Sequence, residues 1–113
     1  MLPPELRLRL DSDIKMLFAK GKGIFDVGLG LRYRPNHLKV SRFAIVVGVK
    51  VSKKAVVRNR LRRQVRSFLE HERSDIQPGF DVLIMLRPQT KDYSRADLFA
   101  ALSRILKKSP VFK

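Results

Sequence analysis

The segment of residues 50–66 constrains this chain more than any other, because it is both strongly basic and amphipathic. Eight of its seventeen residues are Lys or Arg. An apolar repeat at helical spacing runs through it, formed by Val57, Leu61, Val65 and Phe68. One border of that face is lined by Arg58, Arg62 and Arg66, whereas Asn59 and Arg63 point away from it. The spacing predicts a helix that packs on one side and presents cations on the other.

The exposed side of this helix is predicted to bind nucleic acid. The planar arginine fork can hold a phosphate group through two parallel hydrogen bonds, which suits a polyanion better than a lysine-rich tail would. The candidate phosphate-binding residues are Lys50, Lys53, Lys54, Arg58, Arg60, Arg62, Arg63 and Arg66. A merely solvated helix face is the alternative for these charges. The amide of Asn59 is a candidate to read a base edge or a 2′-hydroxyl, or else to bridge the local backbone.

Length and charge place the chain in a narrow class. Its 113 residues are enough for one domain, which we expect to span 1–113, with residues 1–10 as an extended lead-in. The net charge of +15 favours a polyanionic partner. No apolar run is long enough to span a membrane and no secretion signal is recognisable, so a cytoplasmic location and no membrane partner are expected. The absence of cysteine excludes disulfides and thiolate metal sites.

The remaining segments predict a mixed α+β chain. Periodicity predicts a helix over residues 12–20, a strand over 24–34 and a stronger strand over 42–51. The basic helix is predicted to fade near residues 72–74, and a strand follows over 80–86. A last helix is predicted over 94–107, where Ser94 and Asp97 form a short capping box. This order predicts an α+β sandwich with helices packed on a sheet.

Little in the sequence points to catalysis by protein side chains. His71 lies between Glu70 and Glu72, but neighbouring helix positions point in different directions, so no metal site is predicted there. The aspartates are spread through predicted caps and turns and form no visible pair for acid–base or two-metal chemistry. No catalytic residue and no metal site are therefore predicted.

One motif gives a specific resemblance. Residues 55–63 read Ala-Val-Val-Arg-Asn-Arg-Leu-Arg-Arg, after a Lys-rich turn at 51–54 and before the strand Phe-Asp-Val-Leu-Ile at 80–84. In this arrangement the chain resembles the protein subunit of bacterial ribonuclease P, and the similarity covers nearly the full length. Two positions depart from the family pattern: Lys53 stands where the family often has glycine, and Ile14 where the first helix commonly has an aromatic residue.

The resemblance implies a fold and a division of labour. The fold would be a two-layer sandwich of order α-β-β-β-α-β-α, like domain 2 of ribosomal protein S5, with a left-handed β-α-β crossover. A catalytic RNA would hold the Mg²⁺ ions, together with the substrate, and cut the 5′ leader from precursor tRNA. The protein would be the non-catalytic subunit of this endonuclease and bind both the catalytic RNA and precursor tRNA, with no obligate protein partner.

In the family the arginine helix faces the catalytic RNA, and a cleft between the first helix and the sheet holds the single-stranded leader. The residues that would line this cleft here are Ile14, Phe18, Tyr33 and Phe43. Phe18 is equally a candidate for the core, given its helical spacing from Ile14. Two other functions remain open from the residues: a ribosomal or assembly protein of similar charge, and a stand-alone protein nuclease.

Overall fold

The chain folds as a four-stranded sheet with three helices, seen in a computed structural model that describes residues 11–113. The predicted extended segment 1–10 lies outside the described residues. In chain order the elements are α1 (Asp11–Lys20), β1 (Lys22–Phe25), β2 (Leu29–Pro35), β3 (Arg42–Val47), α2 (Ala55–His71), β4 (Phe80–Leu86) and α3 (Arg95–Lys107). Short 3₁₀ turns cover Arg73–Asp75 and Pro88–Asp92. The α+β class and the order α-β-β-β-α-β-α are those predicted.

The sheet is mixed, with strand order β1-β2-β4-β3. β1 and β2 form an antiparallel hairpin, and β2 also pairs antiparallel with β4. β3 and β4 are parallel neighbours, so the chain must cross over between them, and α2 is the crossover helix. The arginine-rich helix is therefore anchored at both ends by adjacent parallel strands, the edge strand β3 and its inner neighbour β4.

The two faces of the sheet are covered unequally. On one face α2 and α3 bury the main core, which includes Leu31, Ile84, Leu61 and Leu102. On the other face α1 packs through Leu17 against Leu83, with Ile14, Ala44 and Met85 partly buried around them. One short helix thus covers only part of this second face.

Two strand predictions were wrong in extent. The strand predicted over 24–34 is a hairpin, because Asp26 N–H bonds the Leu29 carbonyl at 2.8 Å and the Asp26 carboxylate accepts from Val27 N–H at 2.7 Å, which turns the chain. The strand predicted over 42–51 ends at Val47, since Val51 N–H bonds the Gly48 carbonyl at 3.0 Å in a tight turn. Glycine favours such turns through its backbone freedom, and aspartate through the hydrogen bonds of its side chain to the local backbone.

The last helix forms as predicted. Ser94 is its N-cap: its hydroxyl accepts from Asp97 N–H at 3.0 Å, and the Asp97 carboxylate accepts from Ser94 N–H at 3.1 Å. The capping box is therefore confirmed. The predicted apolar face of α3 is buried, comprising Leu98, Leu102, Ile105 and Leu106.

Candidate nucleic-acid interface

The two-sided character predicted for the basic helix is confirmed in α2. Leu61, Val65 and Phe68 are buried in the main core and Val57 packs against its edge. No acidic residue lies in the first turn of the helix. Burial of this stripe anchors the helix, so the opposite side is held facing outward.

The predicted phosphate-binding residues lie on one continuous stretch, made of the β3–α2 loop (residues 48–54) and the outer side of α2. We call it the basic surface: Lys50, Lys53, Lys54, Arg58, Asn59, Arg60, Arg62, Arg63 and Arg66. Arg58, Arg62 and Arg66 are half-buried at the border of the packed face, and the other six are exposed. Both observations match the helical projection of the sequence.

Two of the arginines also hold the β3–α2 loop against the helix. Arg58 Nη1 donates to the Ser52 carbonyl at 2.9 Å, and Arg62 Nη2 donates to the Val47 carbonyl at 3.2 Å. To residues 14–113, by contrast, the side chains of Arg60 and Arg63 make neither a hydrogen bond nor an ion pair. The basic surface therefore contains positioning arginines as well as arginines with unused donors.

Asn59 takes part in this local network. Its Oδ1 accepts from Arg62 Nη1 at 2.9 Å, a contact between two side chains and not the backbone bridge considered from sequence, so both roles considered for Asn59 stay predictions. Beyond it, a surface hollow of about 940 Å³ runs along α2, lined by Asn59, Arg62, Arg63, Arg66, Ser67, Glu70 and His71. The hollow extends the basic surface toward the carboxyl end of the helix.

The face of the sheet beside α1 is organised in rows of paired residues, because directly opposite residues on neighbouring strands share a face. One row runs Gly23, Arg32, Leu83, Ala44. The next row runs Phe25, Gly30, Met85, Val46. Leu17 of α1 packs on Leu83 in the first row, whereas Phe25 and Val46 in the second row remain exposed.

Two of the four predicted cleft residues lie on this face. Ile14 is half-buried beside Leu17 and Leu83, and it supports the helix more than it offers a surface. Phe18 is 50% exposed at the end of α1, so the core alternative for it was wrong. Phe18 is available to stack on a ligand.

The prediction that the other two residues line the cleft was wrong, because they lie on the opposite face of the sheet. Phe43 is 4% exposed within the main core. Tyr33 packs against the same core and meets Phe80 edge to face, with ring centroids 6.2 Å apart. Side chains alternate between faces along a strand, so residues 33 and 43 share the face covered by α2 and α3.

The aromatic residue that does lie on this face is Phe25, which the sequence reading missed. Its ring is 57% exposed and lies across Gly23 and Gly30. A Cβ atom built at Gly23 would come within 3.0 Å of the ring, and one at Gly30 within 3.2 Å, so both glycines give the ring its place. The signal was the pairing of a glycine-rich strand with an aromatic one, but it needs the hairpin register to be read.

Next to Phe25 the uncovered row forms a shallow hollow of about 570 Å³. Its apolar walls include Phe25, Val46, Val49 and Met85, and two cations, Lys50 and Arg87, stand at its rim. We call the hollow and the neighbouring Phe18 the sheet cleft. Its rim residue Lys50 also belongs to the basic surface, so the two sites adjoin.

Residues 14–113 contain no group of three or more His, Asp or Glu side chains placed to hold a metal ion. Nor does a helix long and apolar enough to cross a membrane occur among these residues.

Fold and surfaces together define a small, strongly basic α+β protein that presents an arginine-rich crossover helix. A family model described as Ribonuclease P matches residues 2–109. The chain therefore belongs to the ribonuclease P protein family, whose members are the protein component of an endoribonuclease complex that also contains an RNA subunit.

Relatives and solved structures agree with this membership. The ribonuclease P protein component of Synechocystis sp. is 44% identical over 92 residues, which cover 78% of this chain and 72% of the relative. That of Picosynechococcus sp. is 32% identical over 111 residues, which cover 98% of this chain and 96% of the relative. The solved ribonuclease P protein of Thermotoga maritima is 30% identical and superposes with a TM-score of 0.83. The match covers 91% of this chain and 96% of that protein. The ribonuclease P protein of Staphylococcus aureus is 24% identical and shares the fold, with a TM-score of 0.89. This match covers 96% of this chain and 98% of that protein.

Proposed function

We propose that this chain binds the catalytic RNA of ribonuclease P through the basic surface and holds the 5′ leader of precursor tRNA in the sheet cleft. The observation that carries the proposal is the presence of two adjoining surfaces of different chemistry on one small chain. One offers cations and guanidinium forks, and the other offers exposed aromatic rings beside an uncovered apolar row.

The basic surface acts by neutralising phosphates of the folded catalytic RNA. Each phosphate contact releases counterions and steepens the dependence of log K on log salt by about 0.7 to 0.9. Arg60 and Arg63 have unused donors for this purpose, while Arg58 and Arg62 keep the loop lysines beside them. Docking therefore places the chain in one orientation on the RNA.

The sheet cleft acts on the unpaired leader. Stacking of a base on an aromatic side chain contributes about 1 to 3 kcal/mol in single-strand binders. Phe18 and Phe25 present such rings, and Lys50 and Arg87 at the rim can meet the leader phosphates. Binding of the leader improves substrate affinity and aligns the scissile phosphate on the RNA.

Cleavage itself is assigned to the RNA. Mg²⁺ would be held mainly by the RNA subunit and the substrate, where it supplies Lewis-acid and water-activating chemistry. No side chain of this chain is proposed to cut, and no further protein is required.

The proposal is tested by cleavage of a 5′-extended precursor tRNA at low magnesium with the protein alone, a bacterial ribonuclease P RNA alone, and both together. We expect efficient cutting at the mature 5′ end only in the mixture. Shortening the leader to one nucleotide should remove most of the gain in substrate affinity that the protein provides.

Two results would count against the proposal. If the protein adds nothing to a well-folded RNA, the role in this complex fails. If the gain persists unchanged with the shortened leader, the chain acts on the RNA alone and the sheet cleft has another use.

A further inference from the structure

The guanidinium of Arg32 lies between two exposed aromatic rings at the end of the sheet cleft. Its Cζ atom is 5.3 Å from the centroid of the Phe18 ring and 6.0 Å from that of the Phe25 ring. Arg32 is on β2, Phe18 on α1 and Phe25 on β1. Three separate elements therefore hold one cation in place, which is more than a solvated surface charge requires.

Arg32 leaves hydrogen-bonding capacity unused. Nη1 donates to the Phe18 carbonyl at 3.4 Å, which is a long contact, and Nε is buried with no acceptor in the described part of the chain. No carboxylate among residues 14–113 is within ion-pair distance of it. Because Nε is enclosed, the donors left for a ligand are those of the terminal nitrogens, and Nη2 makes no hydrogen bond to the described part of the chain.

Two other arginines of this chain are paired with carboxylates. Arg42 forms two hydrogen bonds to the Asp81 carboxylate at 2.9 and 2.7 Å, and Arg104 donates to Asp26 at 2.8 Å. Both have a carboxylate partner, which neutralises the charge. Arg32 lies instead beside two aromatic rings, which leave its charge without a carboxylate from the described part of the chain.

We propose that Arg32 reads a guanine in the 5′ leader, with the base stacked on Phe25. This inference rests on the proposed function, because it assigns one nucleotide of the leader to one part of the sheet cleft. A base lying on the ring of Phe25 beside the guanidinium brings its edge to the arginine fork. The O6 and N7 atoms of guanine are adjacent acceptors that match two N–H donors of arginine.

The other bases satisfy this site less well. Adenine offers N7 next to its N6 amino group, which is a donor and faces the donors of Arg32. Pyrimidines have a single ring, so they cover less of Phe25 when stacked. Guanine should therefore be preferred over each alternative by about fivefold at one leader position. This preference is at the low end of the discrimination that a good bidentate arginine–guanine pair provides.

The test uses the protein assembled with a bacterial ribonuclease P RNA and a set of precursor tRNAs in which each leader position in turn is G, A, C or U. Kd, KM and kcat are measured for the native chain, Arg32→Ala and Arg32→Lys. In the native complex we expect one position at which guanine lowers Kd and KM about fivefold with little change in kcat. Both variants should lose that preference.

The lysine variant separates base reading from structure. It keeps the cation between the rings but lacks the fork, so we expect leader affinity to stay within about twofold for a pyrimidine at that position while the guanine preference disappears. Arg95→Ala is the matched control, because Arg95 also lies over a ring, 4.8 Å from the Phe99 centroid, but on α3. It should retain the full preference. Thermal unfolding of each variant checks the fold.

A native complex with no base preference at any leader position would overturn the recognition of guanine by Arg32. The proposed function would stay intact if the protein still binds the leader-bearing precursor tRNA more tightly than the one with the shortened leader. A guanine preference that survives in Arg32→Ala would overturn the recognition by Arg32 as well. A protein effect that is independent of the leader would instead remove the proposed function and this inference together.

Discussion

The basic surface and the sheet cleft differ in how they are assembled. All of the basic surface comes from one stretch of chain, the β3–α2 loop and the helix that follows it. The sheet cleft combines Phe18 of α1, Phe25 of β1, Met85 of β4 and Val46 of β3, which only the tertiary fold brings together. Local sequence defines the first surface, and strand register defines the second.

This difference in construction goes with a difference in chemistry. Charges on a helix attract phosphate over a distance and are weakened by salt. Exposed rings on a sheet face act at contact, depend on the shape of the ligand and respond little to salt. If both surfaces serve the proposed function, changes in one should alter salt dependence and changes in the other should alter leader dependence.

The largest effect is expected at Phe43, which was predicted to line the cleft but lies in the main core. Phe43→Ala should lower the free energy of unfolding by about 3 to 5 kcal/mol, because it leaves a cavity in the core beneath α2. Phe43→Leu, which keeps most of the volume, should cost less than about 1.5 kcal/mol. Urea unfolding measures both. A stable Phe43→Ala protein with weakened leader binding would return Phe43 to the cleft.

The next effect concerns arginines with unused donors. Arg60→Ala with Arg63→Ala should weaken binding of the RNA subunit about 10- to 100-fold at moderate salt, because two charge-assisted phosphate contacts are lost. The slope of log K against log salt should fall by about 1.5, since each contact contributes about 0.7 to 0.9. Filter binding over a salt series measures both quantities.

The matched control removes two charges elsewhere. Lys107→Ala with Lys108→Ala lowers the net charge equally, at the carboxyl end of α3, where both lysines are exposed. The affinity of this double variant for the RNA subunit should change less than threefold if the position of the charges matters and not the net charge alone. Equal losses in the two double variants would mean that the basic surface is only part of a diffuse field.

A smaller and qualitatively different effect is expected at Phe25. Phe25→Ala should weaken binding of leader-bearing precursor tRNA by the assembled complex about tenfold, since one stacking surface is lost. Affinity for mature tRNA and the salt slope should not change. Phe25→Tyr keeps the ring and should retain most of the affinity, and Val27→Ala, exposed in the neighbouring turn, serves as the control. A loss that appears equally with mature tRNA would contradict the stacking role.

The extent to which sequence predicts these two sites follows from their construction. The packed side of α2 could be predicted because helical spacing alone brings Leu61, Val65 and Phe68 together. The capping box of α3 is likewise local, since Ser94 and Asp97 are three residues apart. Residues 24–34 were read as one strand, so the turn at Asp26 and the face occupied by Phe25 were both missed.

Register explains the remaining errors. A shift of one residue moves a strand side chain to the other face, so Tyr33 could not be assigned to a face before its pairing with Val82 was known. The roles of Arg58 and Arg62 were missed for a related reason. Their acceptors, the Ser52 and Val47 carbonyls, become neighbours only when β3 ends at Val47 and the chain turns back onto the helix.

The smallest predicted effect lies in the turn that carries Phe25. The pKa of Asp26 is lowered below its ordinary value of 3.8, first by the hydrogen bond from Val27 N–H and then by the hydrogen bond from Arg104, whose Nε lies 2.8 Å from Oδ2. A carboxylate with a lowered pKa stabilises the fold at pH values above its ordinary pKa, and that contribution is lost as the pH falls through the lowered value.

Asp26→Asn should therefore lower Tm by no more than a few degrees at pH 7, because the asparagine oxygen can still accept from Val27 but no longer pairs with Arg104 as an anion. The difference from the native chain should shrink as the pH falls through the lowered pKa of Asp26, because the native carboxyl then becomes protonated. Thermal unfolding between pH 2 and pH 7 measures this. Since the turn supports the sheet cleft and not α2, leader affinity should fall slightly while the salt slope stays constant; a changed slope would mean that the two surfaces are coupled through the sheet.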